Sequence, residues 1–137
     1  MKTSLFFSAK TDTLSWLTLH NFASGVAACQ QAKELRPHPA FGFISAPGAA
    51  GFMGAGWWQA LIRAVQEQSG YDCPHILDCG ADPGYALFAA SQGQKLIVLE
   101  APSPVLESVN EVYERLGGHV FSMRPPSFDL ISTLSGV

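Results

Sequence analysis

Short apolar runs alternate along this chain with longer stretches in which apolar residues recur every three or four positions. A short continuous run reads as a strand buried on both faces, and a 3.6-residue period reads as a helix with one face on a core. Their alternation predicts βαβ units around a parallel sheet. The segment 4–8, with Leu5, Phe6 and Phe7, is the first candidate strand. Positions 21–35 carry Phe22, Val26, Cys29 and Ala32 at helical spacing and stop before Pro37 and Pro39. Phe41, Gly42, Phe43 and Ile44 make the next strand, followed by a Gly-rich loop over 45–56. The pattern Trp57, Trp58, Leu61, Ile62, Val65 predicts a core-facing helix that stops at Gly70.

The second half repeats the scheme. Ile76 and Leu77 lead a strand into Asp78, and Asp82 before Pro83 supplies a helix N-cap with proline in the first turn. That helix runs to about Gln92, with Gly93 as its stop. Residues 96–99 form an uninterrupted apolar strand, and Ser103 before Pro104 repeats the cap signal. Val105, Val109, Val112 and Leu116 mark one face of the following helix, Gly117 and Gly118 end it, and His119, Val120 and Phe121 give a last strand. The tail 125–137 offers Phe128 and Leu130 for packing. The expected fold is one three-layer α/β domain over 1–137, with four or five mostly parallel strands in a flavodoxin-like or half-barrel arrangement. The pattern does not set the strand order. In such sheets the strand-to-helix loops gather at the C-terminal edge, where ligands bind. Here those loops are 45–56, 78–82 and 100–103.

Composition narrows the function classes. Only 14% of the residues are charged, against roughly 25% in a typical soluble domain. Net charge is −3 and Lys and Arg form no cluster, so a nucleic acid or an anionic membrane surface has no electrostatic footprint. The apolar run at the N-terminus is too short for a signal-peptide core, and no window reaches the length of a membrane span. Cys29, Cys73 and Cys79 are odd in number and lack a C-x-x-C pair, which fits reduced thiols and a cytoplasmic location. The low charge and the adjacent Trp57 and Trp58, with Phe52 and Met53 nearby, lead us to expect a symmetric homodimer.

Candidate chemistry concentrates where Asp78, Cys79, Gly80, Ala81, Asp82, Pro83 and Gly84 follow one strand and Glu100 ends the next. Glycines let backbone amides approach a ligand, and an acidic strand end accepts hydrogen bonds from hydroxyls. Over about 75–115 this stretch resembles the first nucleotide-binding motif of the class I S-adenosylmethionine-dependent methyltransferases. Asp78, Gly80 and Gly84 match it, Glu100 falls at the ribose acceptor, and Asp82 stands where that family has glycine. The resemblance implies an adenosine cofactor; the residues themselves identify none.

Over about 21–100 the chain also resembles the N-terminal half of the class II, zinc-dependent ketose-bisphosphate aldolase barrels. Phe43, Ile44, Ser45, Ala46, Pro47, Gly48, Ala49 and Ala50 resemble the strand end and small-residue loop, and His75 with Asp78, Cys79 and Gly80 resembles the His-x-Asp-His-Gly box with one extra residue between histidine and aspartate. That likeness implies an acid/base role for Asp78, with Cys79 in place of a metal-binding histidine. No second ligand cluster completes a tetrahedral site, so no metal is expected. Cys79, at a strand end near a helix start, is also a candidate reactive thiol. The candidate ligand-binding set is Ser45, Gly48, Asp78, Gly80, Asp82, Gly84 and Glu100, for a small molecule or an anion at the C-terminal sheet edge. An S-adenosylmethionine-dependent or aldolase-like enzyme and a structural or interaction domain are the alternatives.

Overall fold

The computed structural model describes residues 14–129. Six parallel strands form one sheet: β1 (Ser15–Thr18), β2 (Phe41–Ile44), β3 (His75–Asp78), β4 (Leu96–Val98), β5 (His119–Phe121) and β6 (Ser127–Asp129). Their order is β5-β4-β3-β2-β1-β6. Between them lie the helices α1 (Phe22–Glu34), α2 (Ala49–Phe52), α3 (Ala55–Ser69), α4 (Pro83–Ser91) and α5 (Ser103–Arg115). The parallel α/β fold is the one expected, with six strands rather than four or five. The expected strand at 4–8 and Leu130 lie outside the described residues. Strands β1 and β6 and the short helix α2 inside the Gly-rich segment were not anticipated.

Because strands β1 to β5 are neighbours in sequence order and such crossovers are right-handed, the helices follow one another along the sheet. Helix α1 packs on α3, α3 on α4, and α4 on α5. This is the half-barrel arrangement; a flavodoxin-like order would reverse direction after its second strand.

Register divides the side chains between two faces. Leu17, Phe43, His75, Leu77, Ile97 and Val120 face the helices, where the fully buried Trp58 of α3 meets the His75 ring. Trp16, Gly42, Ile44, Ile76, Asp78, Val98 and Phe121 share the opposite face. On that face Trp16 of β1 and Phe121 of β5 pack edge to face with ring centroids 6.3 Å apart. In a flat sheet these strands would stand about 19 Å apart, four spacings of roughly 4.8 Å. The sheet is therefore strongly curled, and this face is its concave side.

Gly42 permits the curl. A Cβ at this position would lie 2.7 Å from the Pro74 carbonyl oxygen and run into the Trp16 indole, so only glycine lets that ring lie across β2. At the other end of the chain, Tyr113 of α5 is buried and its hydroxyl donates to the Ala86 carbonyl at 2.6 Å, tying α5 to α4.

Several local expectations change. Phe22 is exposed, and α1 buries the small residues Gly25, Ala28, Cys29 and Ala32 instead, because the helix approaches α3 closely. A Cβ on Gly25 would come within 2.8 Å of Val65. Phe128 is exposed on the edge strand β6 rather than packed. Pro102, not Ser103, occupies the N-cap of α5, and no side chain caps that helix.

Candidate site at the C-terminal edge of the sheet

Asp82 does what its position before Pro83 suggests: its Oδ1 accepts from the Gly84 N–H at 2.8 Å and caps α4. Gly80 has φ +62, a left-handed turn conformation that glycine adopts without strain, and its backbone lies against Gly48, itself at φ +67. The 45–56 and 78–84 segments thus pack against each other at the ends of β2 and β3. Ser45 is fully buried between them, accepting from the Asp78 N–H at 2.9 Å and donating to the Ala46 carbonyl at 3.1 Å.

Asp78 is buried too, and both its oxygens are used. Oδ1 accepts from the Gly80 N–H at 2.8 Å, and Oδ2 accepts from the guanidinium of Arg124 at 2.8 Å. Arg124 belongs to the short connection between β5 and β6, and the curl of the sheet carries that connection across the ends of β3 and β1. The other side of the guanidinium reaches Thr18 Oγ1 and Ser127 Oγ, each at 3.5 Å, and those hydroxyls bond to one another at 3.1 Å. One arginine therefore joins β1, β3 and β6 at their C-terminal ends. No sequence signal marked it: Arg124 is a lone cation between Met123 and Pro125, and its partner lies 46 positions away.

Glu100, just past β4, is exposed. Its backbone N–H donates to the Gly80 carbonyl at 2.8 Å, and its Oε2 accepts from the Arg124 N–H at 3.4 Å. Beside it opens a shallow cleft of about 500 Å³ lined by Glu100, Ala101, Pro102, Ser122, Met123 and Arg124. The geometry thus separates the candidate set. Glu100 lines this cleft; Ser45, Gly48, Asp78, Gly80, Asp82 and Gly84 build the scaffold next to it.

The other motifs resolve differently. His75 and Asp78 are three residues apart on β3 and point to opposite faces, so the box that resembled an aldolase does not converge on one point. Among the described residues no three His, Cys, Asp or Glu side chains are grouped to hold a metal ion. Cys79 is buried, and burial, reinforced by the nearby Asp78 and Asp82 charges, pushes its thiol up to about 12, the opposite of an activated nucleophile. His75 is pushed down to about 4 by burial, partly opposed by the Asp72 charge. Its Nδ1 accepts from Gln94 Nε2 at 3.2 Å, which leaves the ring proton on Nε2.

Gln94, which sequence reasoning passed over, is fully buried and also bonds the Leu96 carbonyl at 3.0 Å and Gln59 Nε2 at 3.2 Å. Trp58 Nε1 has no hydrogen-bond partner among the described residues. Among these residues no helix is long and apolar enough to cross a membrane. Comparison of the chain with protein-family models, with curated proteins and with solved structures finds no match.

Proposed function

We propose that this domain is a small-molecule binding module whose site is the cleft beside Glu100, and that its ligand offers hydroxyl groups to the Glu100 carboxylate. The observation that carries this reading is an exposed carboxylate, held by a bond from the Arg124 backbone, on the wall of a cleft of about 500 Å³ at the C-terminal edge of a parallel sheet. That volume lies within the usual range for small-ligand pockets, and the sheet edge is where such folds bind them. An anion is the poorer fit, because the Arg124 guanidinium is already engaged by Asp78 and the cleft presents Glu100. Pro102 and Met123 offer an apolar surface against which a flat ring can lie. A nucleoside combines the two features, and adenosine is the natural probe.

Titrating ¹⁵N-labelled protein with adenosine, and separately with inorganic phosphate, tests the reading. Adenosine is expected to shift the amide resonances of Glu100, Ala101, Ser103, Ser122, Met123 and Arg124, and phosphate to leave them unmoved. The absence of shifts at millimolar adenosine would refute it.

A second reading, self-association, is favoured by one further observation. Helices α2 and α4 lie side by side, with the Tyr85 ring over Gly51; the exposed Phe52, Tyr85 and Phe88 are carried on these two elements, and the exposed Met53 caps α2. Trp58 takes no part, being fully buried, and Trp57 is half-buried. In this reading a second copy covers the α2/α4 surface, and Phe52→Glu with Phe88→Glu is expected to give a monomer of unchanged fold. A monomeric wild-type chain in sedimentation equilibrium would exclude it.

A further inference from the structure

On the helix-facing side of the sheet, away from the cleft, three side chains form a polar chain within an apolar layer. Gln59 of α3 donates from Nε2 to Gln94 Oε1 at 3.2 Å. Gln94 Nε2 in turn reaches the Nδ1 of the His75 ring at 3.2 Å, the His75 carbonyl at 3.2 Å and the Leu96 carbonyl at 3.0 Å. Gln94 is fully buried in the connection between α4 and β4. Its amide is therefore oriented: the two hydrogens serve three acceptors at the starts of β3 and β4, and the oxygen takes the Gln59 donor.

We propose that His75 and Gln94 form an acid-triggered switch, in which protonation of the ring reverses the Gln94 amide and frees the starts of β3 and β4 from it. A proton on Nδ1 turns that acceptor into a donor and sets N–H against N–H. The Gln94 amide relieves the conflict by rotating half a turn about its last bond, which presents Oε1 to the ring and swings Nε2 towards Gln59. Gln59 follows, because its amide also carries both a donor and an acceptor. The His75 and Leu96 carbonyls cannot follow. They are left facing an oxygen, and the joint between β3 and β4 loses the donor that bridges it.

The surroundings of the ring set where the switch works. Asp72, in the turn before β3, is the charge that acts on the ring, and its Oδ1 accepts from Gln66 Nε2 at 2.6 Å. From α3 the ring meets the Trp58 indole, with centroids 6.2 Å apart, while the charged Arg63 and Glu67 of that helix are exposed. Phe43 is its register neighbour on β2, Lys95 beside Gln94 bonds the Leu116 carbonyl, and α4 carries no charged residue. Burial outweighs the Asp72 charge and pushes the ring down to about 4. The neutral orientation therefore holds at pH 7, and the half-buried ring takes up its proton only in acid.

The test follows the ring and side-chain amide nitrogens of the ¹⁵N-labelled full-length chain by NMR from pH 7 to about 3.5, a range that spans the His75 transition. At pH 7 the His75 proton is expected on Nε2, and the Gln94 NH₂ group is expected to show NOEs to protons around Leu96. On acidification Nδ1 is expected to gain a proton, and at the same midpoint those NOEs are expected to pass to the Gln59 side chain while the remaining backbone amides stay dispersed. In His75→Gln neither glutamine is expected to respond over this range. Should that variant fail to fold, the wild-type titration decides alone. A proton already on Nδ1 at pH 7, Gln94 NOEs that stay around Leu96 once the ring is protonated, a glutamine response that persists in His75→Gln, or unfolding of the whole chain before the ring titrates would each overturn the proposal.

Discussion

Replacing Arg124 by Met removes the charge that closes the C-terminal end of the sheet while keeping most of the side chain's volume. The substitution leaves the Asp78 carboxylate, at 5% side-chain exposure, with only the Gly80 N–H. Breaking a buried ion pair from one side costs about 3–5 kcal/mol, because the remaining charge is stranded in a poor dielectric. The Arg124 side chain is 19% exposed, so water can enter its place, and the lower end, about 3 kcal/mol, is the reasonable expectation. For a chain of this length that corresponds to a fall in melting temperature of about 10 °C. The double variant Asp78→Asn with Arg124→Met removes both charges, and its amide oxygen can still accept from Gly80. It is expected to regain about 2 kcal/mol over the additive sum, as coupled pairs do. Urea unfolding followed by circular dichroism measures all four corners of the cycle. An Arg124→Met variant within about 0.5 kcal/mol of wild type, the usual spread for surface changes, would show that the arginine does not organise this end of the sheet.

Gly42→Ala is expected to cost at least the roughly 1–3 kcal/mol of core overpacking, because the new methyl meets the Trp16 ring and a carbonyl that cannot move away; a neutral effect in thermal unfolding would contradict the curl of the sheet. His75 titrates near 6.5 in the unfolded chain and is pushed down to about 4 in the fold. The unfolded state therefore binds the proton first, and the stability is intact above about pH 6.5 and falls by about 3 kcal/mol as pH drops towards 4. Unfolding curves taken from pH 7 to 4 are expected to lose this pH-dependent component in His75→Gln, and an unchanged slope would show that another group carries it.

The parallel α/β fold was legible because β2, β3 and β4 announce themselves as apolar runs, and because Asp82 before Pro83 and the Gly93 stop bracket α4. What escaped was the ends of the sheet. Strand β1 is Ser-Trp-Leu-Thr, with polar residues at both ends, and it looked less like a strand than Leu5, Phe6 and Phe7 did. Strand β6 is Ser-Phe-Asp, with no apolar run, and among the described residues pairs only with β1. At the site, Asp78 and Glu100 could be picked out because strand ends are where parallel sheets place chemistry. Their different fates could not be read, since Asp78 is claimed by an arginine that reaches it only because the sheet curls. Local pattern encodes elements; the curl depends on Trp16 lying over Gly42, a contact between strands that no periodicity records.

The placement of the site at Glu100, rather than in the Gly-rich turn beside it, is tested most directly by calorimetric titration of adenosine into the wild-type chain, Glu100→Gln and Gly84→Val. Binding at the cleft requires that Glu100→Gln weaken adenosine about tenfold, the loss of a charge-assisted hydrogen bond worth roughly 1.5 kcal/mol. Gly84→Val is expected to leave the affinity unchanged, since Gly84 lies in the first turn of α4 outside the cleft lining. Binding abolished by Gly84→Val and untouched by Glu100→Gln would move the site to the turn, and no heat at millimolar adenosine would contradict the binding function itself.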